Sequence, residues 1–544
     1  MELYYETAGP ANPDIQSPAD GNLPTRSKSE WMDRTGNGGP SVYPLAGSRE
    51  GLAQLPRMLA LAVDAALIFR RLGGPLPAGS TAEVFRAVSD ALGPEEVPVL
   101  GMGAENALRL MAQVLVEYGI DLSHPRAAAH LQPPPLCVAT VADTLASATN
   151  ASLDTYDSGP SAIAVERWLI GALAKMARLG PRADGVLTPG GSLSNLLGIL
   201  LARDATGWRL NIDARRAGVA AIPTPVVLCS ELAHFSVHRA CAVLGLGENA
   251  VHPVPTDARR IMRTDALEEI LQKLEGKYTP VAIVATAGTT DFGSIDPLAE
   301  IADLAAKHRI WLHVDAAYGF GALFSDRLAS RLAGIERADS ITLDLHKLGW
   351  QPAAASVLMV KDGNSFTALE REVAYLNPVD DADAGLDGLL GRSLQTTRRP
   401  DAVKIVATLL AHGRNGLGAM VDHCHDLARY AERRISKEMD LDLVSAAGLT
   451  TVVFRYRSPK MRAGANVRRE DAIQGALRRL LLERGIALIG RTEATIGETD
   501  DAPRVCLKFT LLNPVAKTGD VDDLVNAVLR AGRDAEQEVG EGAA

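Results

Sequence analysis

The chain has 544 residues, 47% of them hydrophobic and 22% charged, which allows a sizeable buried core and is too long for one small domain. Its formal net charge is −10 with both signs interspersed and no basic stripe, which argues against nucleic acid or an anionic membrane surface as a partner. The five cysteines (Cys137, Cys229, Cys241, Cys424 and Cys506) show no CxxC pair or metal-ligand spacing, so they read as reduced thiols in a cytoplasmic protein that binds no metal.

Residues 1–45 are rich in Pro, Gly, Ser and Asn without periodicity, and read as a flexible arm that orders only against a partner. The start, MELYYETAGPANPDIQ, has no basic stretch ahead of an apolar core and does not read as a signal peptide. Over 52–72 apolar residues recur at helical spacing, and Gly73-Gly74-Pro75 is expected to end that helix. The apolar run 57–69 carries charge and reads as too short to span a bilayer. Helices over 81–92 and 104–118 complete a helical N-terminal segment, 46–125.

From there to residue 405 the pattern alternates. Helical stretches at 161–179, 193–204 and 296–308 interleave with short apolar runs at 185–188, 225–230, 281–286, 311–315, 339–344 and 355–360. That alternation predicts an α/β unit, 126–405, whose mostly parallel sheet carries helices on both faces. Ligands of such sheets sit beyond the carboxyl ends of the strands. A smaller α+β unit, 406–544, follows, with helices over 400–416, 469–484 and 519–532 and strands over 448–456 and 505–512.

Three strand ends carry residues suited to one chemistry. The turn 188-TPGGSLSN-195 opens a helix, and its backbone amides at Gly191 and Ser192 suit an anionic phosphate. Alone, the same turn reads as a tight bend with a Ser cap. In 311-WLHVDAAYG-319, Asp315 closes a buried strand, where a carboxylate needs a cation or a capping role. A protonated pyridine nitrogen is such a cation, and the small Ala316 and Ala317 leave room for a flat ring. In 339-DSITLDLHKLGWQP-352, Lys347 follows a strand among apolar neighbours, where an amine loses its proton more readily and can condense with an aldehyde. A solvated loop lysine is the alternative for that residue. The combination of phosphate turn, ring-nitrogen acid and amine points to pyridoxal 5′-phosphate (PLP).

With these motifs the chain resembles the group II PLP-dependent amino-acid decarboxylases, the family of glutamate, aromatic-amino-acid and 2,4-diaminobutyrate decarboxylases. The similarity runs from about His124-Pro125-Arg126 to Asn513-Pro514, and the His346-Lys347 pair is its most specific mark. The resemblance implies the fold type I PLP-dependent transferase architecture, with a mostly parallel seven-stranded sheet. It implies Lys347 as the residue joined to PLP, His234 stacked on its ring, and Thr286 near its phenolic oxygen. Asp315 would then face the ring nitrogen, Ala317 lie under the ring, and His346 reach toward the phosphate. Tyr375, in 373-VAYLN-377 beside a stretch rich in Asn, Asp and Gly over 377–388 that suits a lid, matches the tyrosine that protonates the substrate after CO₂ leaves. His130 falls where the family lines the substrate pocket. Lys508 stands where some relatives carry an arginine for the substrate carboxylate, supplying charge without the bidentate fork, and a surface lysine on an edge strand is the alternative. Asp344 stands where animal relatives have Asn, which puts a phosphate contact there in doubt.

The stretches 149–162 and 393–404 are most similar to bacterial decarboxylases of 2,4-diaminobutyrate. Glutamate, aromatic and branched-chain amino acids remain open as substrates. An aminotransferase or carbon–sulfur lyase of the same fold would share the cofactor residues. A catalytically silent relative is opposed by the intact Lys347, Asp315 and His234. The family also implies a homodimer with the active site at its interface.

Overall fold

The structure, a computed structural model, describes residues 44–541 apart from 372, 374, 377, 464–465 and 497–501; the arm expected over 1–45 lies almost wholly outside them. Twelve strands are described: β1 (Ala127–Ala128), β2 (Asp184–Thr188), β3 (Pro225–Ser230), β4 (Val251–Val254), β5 (Thr279–Thr286), β6 (Trp311–Asp315), β7 (Ser340–Asp344), β8 (Ser356–Val360), β9 (Leu441–Gly448), β10 (Thr451–Tyr456), β11 (Leu488–Ala494) and β12 (Arg504–Thr510).

Strands β2 to β8 form one seven-stranded sheet in the order β2-β8-β7-β6-β5-β3-β4. Pairings from β4 through β7 are parallel, and β8 runs antiparallel to both its neighbours. The central strands are apolar on both faces because helices cover both, so each reads as a continuous buried run rather than an alternating one. The helix Gly191–Arg209 packs across β5 to β8 on one face. The main hydrophobic core lies on the other, with Leu228, Ile283, Leu312, Val314 and Ile341 at its centre.

The remaining strands form a five-stranded sheet, β1-β11-β12-β10-β9, backed by helices Val467–Glu483 and Thr518–Glu541. Its first strand comes from residues 127–128, far upstream, and pairs parallel to β11. The run read as one strand over 448–456 is instead the end of β9, a tight turn at Leu449 and Thr450, and β10. The helix expected over 400–416 continues to Ser436, with a break at Gly413 (φ 62°).

Elements with weak local signals escaped the sequence reading. Strand β4 is a four-residue edge strand containing Pro253, and β11 carries Arg491 and Glu493 on its outer face. The helices Cys137–Thr149, Ser236–Val243 and Thr264–Leu274 are also additions.

The first described helix, Arg49–Ile68, stops four residues before the expected end. Just beyond it the Arg71 guanidinium draws the chain aside by donating to the carbonyls of Val116 (2.7 Å) and Pro75 (3.0 Å). At 20 residues this helix is long and apolar enough, by length and composition, to cross a membrane, which corrects the expectation that no such run exists. Within one chain it is mostly uncovered, with Leu59, Val63, Leu67 and Ile68 exposed.

Candidate active site

Five strands end on one cavity of about 250 Å³. After β2, Gly190 is extended and the helix begins at Gly191, so the Gly191 and Ser192 amides precede the first helical hydrogen bond, donated by Leu193 to the Gly190 carbonyl. A Cβ on Gly191 would lie 3.0 Å from both carboxylate oxygens of Asp344 and 3.3 Å from Cβ of Ala317, so only glycine keeps this cradle open. Exposed amides and a helix N-terminus make an anion site.

At the end of β6, Asp315 is 5% exposed and aims into the cavity. Its Oδ2 accepts from Asn195 Nδ2 (2.8 Å) and its Oδ1 from the Ala317 amide (3.1 Å). A buried carboxylate bonded only to neutral donors is suited to meet a cation in the cavity. His234, beyond β3, lines the same space; burial lowers its proton affinity, with Asp315 pulling the other way.

After β7, Lys347 lies across the cavity with Nζ 2.9 Å from Asp344 Oδ2. Asp344 also accepts from Ser356 Oγ, which ties that carboxylate to β8. It therefore sits beside both the amine and the glycine cradle, and works here as the counter-ion of Lys347. His346 accepts from the Ala355 amide through Nδ1 (3.3 Å), leaving Nε2 turned toward Asp344 at 3.6 Å. Burial lowers its proton affinity, opposed by Asp344. Thr286, at the end of β5, and Ala317 complete the wall, with Tyr318 anchored to the smaller sheet through Thr450 Oγ1 (2.7 Å) and Thr451 Oγ1 (3.0 Å).

Three residues singled out from the sequence stand apart from this cavity. Tyr375 is 84% exposed and borders a different cleft, with Leu200, Arg203 and Leu394, so within one chain it is not at the Lys347 site. Residues 372, 374 and 377, next to it in the chain, lie outside the described residues. Lys508 is not on an edge, since β12 lies between β11 and β10; it is buried and bonds to the Thr290 carbonyl (3.1 Å) and Asp291 Oδ1 (2.7 Å). Thr290 lines the cavity, so the Lys508–Asp291 pair stands at its rim. His130 lies near Lys508, and partial burial followed by the charges of Lys508 and Arg478 lowers its proton affinity.

Asn195 and Ser236 were missed. Asn195 follows Gly191 by four residues, one helical turn on the same face, and Ser236 follows His234 by two.

PLP fits what these residues offer. The cradle is one a side chain would fill, an anchored acid faces an amine across a ring-sized space, and the buried Thr286 Oγ1 has no hydrogen-bond partner of its own. Together the sheet order and this donor set define a fold type I PLP enzyme. A sequence profile of the pyridoxal-dependent decarboxylase conserved domain matches residues 97–457. Two similar proteins are the L-2,4-diaminobutyrate decarboxylases of Rhizobium meliloti (strain 1021) and Acinetobacter baumannii. The first is 40% identical over 87% of this chain and 91% of its own length. The second is 35% identical over 79% and 84%. Among solved structures, the glutamate decarboxylase domain of a Vibrio parahaemolyticus diaminobutyrate-pyruvate transaminase and L-2,4-diaminobutyrate decarboxylase superposes with a TM-score of 0.78 at 31% identity, covering 90% of this chain and 97% of that one. The chain belongs to the pyridoxal-dependent decarboxylase family and is a PLP-dependent amino-acid decarboxylase.

Proposed function

We propose that this enzyme converts L-2,4-diaminobutyrate to the corresponding diamine and CO₂. When bound, PLP supplies an electron sink for the pair left behind as the α-carboxylate departs. Lys347 would hold the cofactor through its aldehyde, and the Gly191 and Ser192 amides with His346 would hold its phosphate. Asp315 would keep a proton on its ring nitrogen. His234 and Ala317 would hold its ring, and Thr286 Oγ1, which has no partner of its own, would be free to donate to it. Tyr375 delivers a proton to the substrate α-carbon and excludes water as its loop closes.

The Lys508–Asp291 pair is the observation that carries the substrate reading. Beyond its α-amine a diamino acid presents one carboxylate and one ammonium, and the rim offers one group of each sign 2.7 Å apart. Lys508 takes the carboxylate, with His130 beside it, and Asp291 takes the second ammonium. The names of the two bacterial relatives point the same way. Glutamate and aromatic amino acids carry no second ammonium to offer Asp291, so neither uses both charges of the pair.

Two further features belong to this reading. The uncovered apolar face of the N-terminal helices and the displaced Tyr375 both suit a homodimer, in which a second copy covers the helices and receives the loop. The residue divisions 1–45, 46–125, 126–405 and 406–544 and a cytoplasmic location are proposed on the same footing. Four of the five cysteines are buried, and burial pushes the Cys229, Cys241 and Cys424 thiols up to about 12, as expected of inert reduced thiols.

A panel of L-amino acids incubated with protein and PLP, reading both CO₂ and amine, tests the proposal. Diaminobutyrate should be the best substrate by kcat/KM. Preferred turnover of glutamate or an aromatic amino acid sinks the substrate reading, and keto-acid formation without CO₂ sinks the proposed reaction.

A further inference from the structure

Beneath the cavity floor lies a run of buried polar side chains that the chemistry above does not use. Trp311, His313 and Asp315 alternate along β6 and share the face that meets the helix Gly191–Arg209. His313 is paired in register with Ser340 on β7. His313 and Ser340 are fully buried, and Asn195 and Ser236 are each 1% exposed.

The contacts run from the back of the sheet to the cavity. Trp311 Nε1 donates to Ser340 Oγ (2.8 Å), and Ser340 Oγ lies 2.7 Å from His313 Nδ1. His313 Nε2 lies 3.0 Å from Asn195 Oδ1, with Thr342 Oγ1 farther away at 3.4 Å. Asn195 Nδ2 donates to Asp315 Oδ2 and to Ser236 Oγ, both at 2.8 Å. Ser236 Oγ lies 2.8 Å from His234 Nδ1, which also accepts from the Ser236 amide (3.3 Å).

Donor counting leaves this chain one direction. The indole N–H can only donate and the Asp315 carboxylate can only accept, so both ends are polarised alike. Because Asp315 accepts, the amide nitrogen of Asn195 faces it and the amide oxygen faces His313. His313 must then carry its proton on Nε2, and its Nδ1 accepts from Ser340, whose oxygen is free to accept from Trp311. Both amide hydrogens of Asn195 are spent on Asp315 and Ser236, so the Ser236 hydroxyl proton goes to His234 Nδ1. The Ser236 backbone amide requires the same of that nitrogen. His234 thus keeps its own proton on Nε2, away from the chain.

The helix is cut to admit the arrangement. A Cβ on Gly198 would lie 2.5 Å from Cε1 and 2.6 Å from Nδ1 of His313, closer than real side chains come. Burial drives the His313 pKa down to about 4, so the ring is neutral at working pH.

We propose that Trp311, Ser340, His313, Asn195 and Ser236 form a one-way hydrogen-bond relay that aims the Asp315 carboxylate at the cofactor ring nitrogen and locks His234 in its Nε2–H form. His313, set back from the cavity, and Asn195, on its wall, are positioning residues that act through Asp315 and His234, and Asn195 branches to both of these groups. Buried networks of this kind stabilise one arrangement only while every member is satisfied.

The test uses the full-length protein with and without PLP. In ¹⁵N-histidine-labelled protein without cofactor, with His313→Gln and His234→Gln used for assignment, both imidazoles should appear as neutral Nε2–H tautomers. Ser340→Ala should leave packing intact and release the His313 tautomer. Asn195→Leu should release that of His234. His313→Leu and Asn195→Leu should also speed PLP release and change the pH profile of the bound cofactor's visible absorbance. Their kcat should fall roughly ten- to a hundredfold with KM little changed. His313→Gln, which keeps one donor and one acceptor, should restore values to within about threefold. Should His313→Leu fail to fold, Ser340→Ala and Gly198→Ala carry the same prediction. A His234 tautomer on Nδ1, or PLP release and spectra unchanged in folded Asn195→Leu, overturns the relay.

Discussion

The two ends of this molecule are finished to different degrees. At the carboxyl edge of the large sheet Asp315, Asn195, His313, Asp344 and Lys347 all have bonded partners, and glycines at 191 and 198 are shaped to their neighbours. The N-terminal helices and the stretch around Tyr375 are the reverse, with Leu59, Val63, Leu67 and Tyr375 turned outward. The difference separates what one chain preorganises, the cavity and its electrostatics, from what the proposed homodimer and loop closure would complete.

Perturbing the finished end should act directly on chemistry. Lys347→Ala should lower CO₂ release by ~10³-fold or more while leaving the protein folded, checked by turnover and by loss of borohydride-trappable cofactor. Residual activity near the parent value would remove the basis of the enzyme assignment.

At the open end effects should depend on assembly. Leu67→Glu should weaken self-association by roughly a hundredfold or more, because a charge replaces an apolar anchor. Sedimentation should show the dimer lost, and activity should return as concentration rises. An unchanged sedimentation profile would place the interface elsewhere. Tyr375→Phe should reduce amine formation by about a hundredfold, within the range of general-acid catalysis, without altering PLP affinity. If it weakens PLP equally, the residue belongs to the finished end after all.

A pH experiment sharpens the contrast from the buried side. His313 is neutral when folded, with a pKa near 4 against 6.5 when unfolded, so its unfolded form binds more protons between these values. Stability from this group is therefore complete above about pH 6.5 and is lost as pH falls toward 4, by roughly 3 kcal/mol. His313→Gln should lack this loss, so its stability relative to the parent should improve on acidification, read by denaturant unfolding at several pH values. Parallel curves would mean that His313 is not buried neutral. The smallest effect is expected at the rim, where Asp291→Asn should raise KM for diaminobutyrate about tenfold and spare substrates lacking a second amine. Equal losses for both would make Asp291 merely structural.

Much of the cleft was readable because its chemistry sits next to its structural cause. Gly191 follows a strand and opens a helix, Asp315 ends an apolar run, and Lys347 comes just after another. The relay was not, although Trp311, His313 and Asp315 alternate in plain view. Nothing local shows that Asn195, more than a hundred residues away, bridges two of them. Lys508 read equally as an edge-strand lysine because its strand's neighbours, β10 and β11, are not evident from its own seven residues. The hairpin turn at Leu449 was hidden at the start of a run of strand-forming residues, Thr450 to Phe454, with no Gly, Pro, Asn or Asp at the turn itself.

The amino-acid order by itself determined the alternation of strands and helices, the phosphate turn and the lysine, because those depend on periodicity and on residues a few positions apart. Only the tertiary structure decided which strands are neighbours, that Asp344 rather than solvent meets the Lys347 amine, and which way each buried hydrogen bond points. Those depend on long-range packing, where a donor or a missing Cβ acquires meaning only from the group placed opposite it.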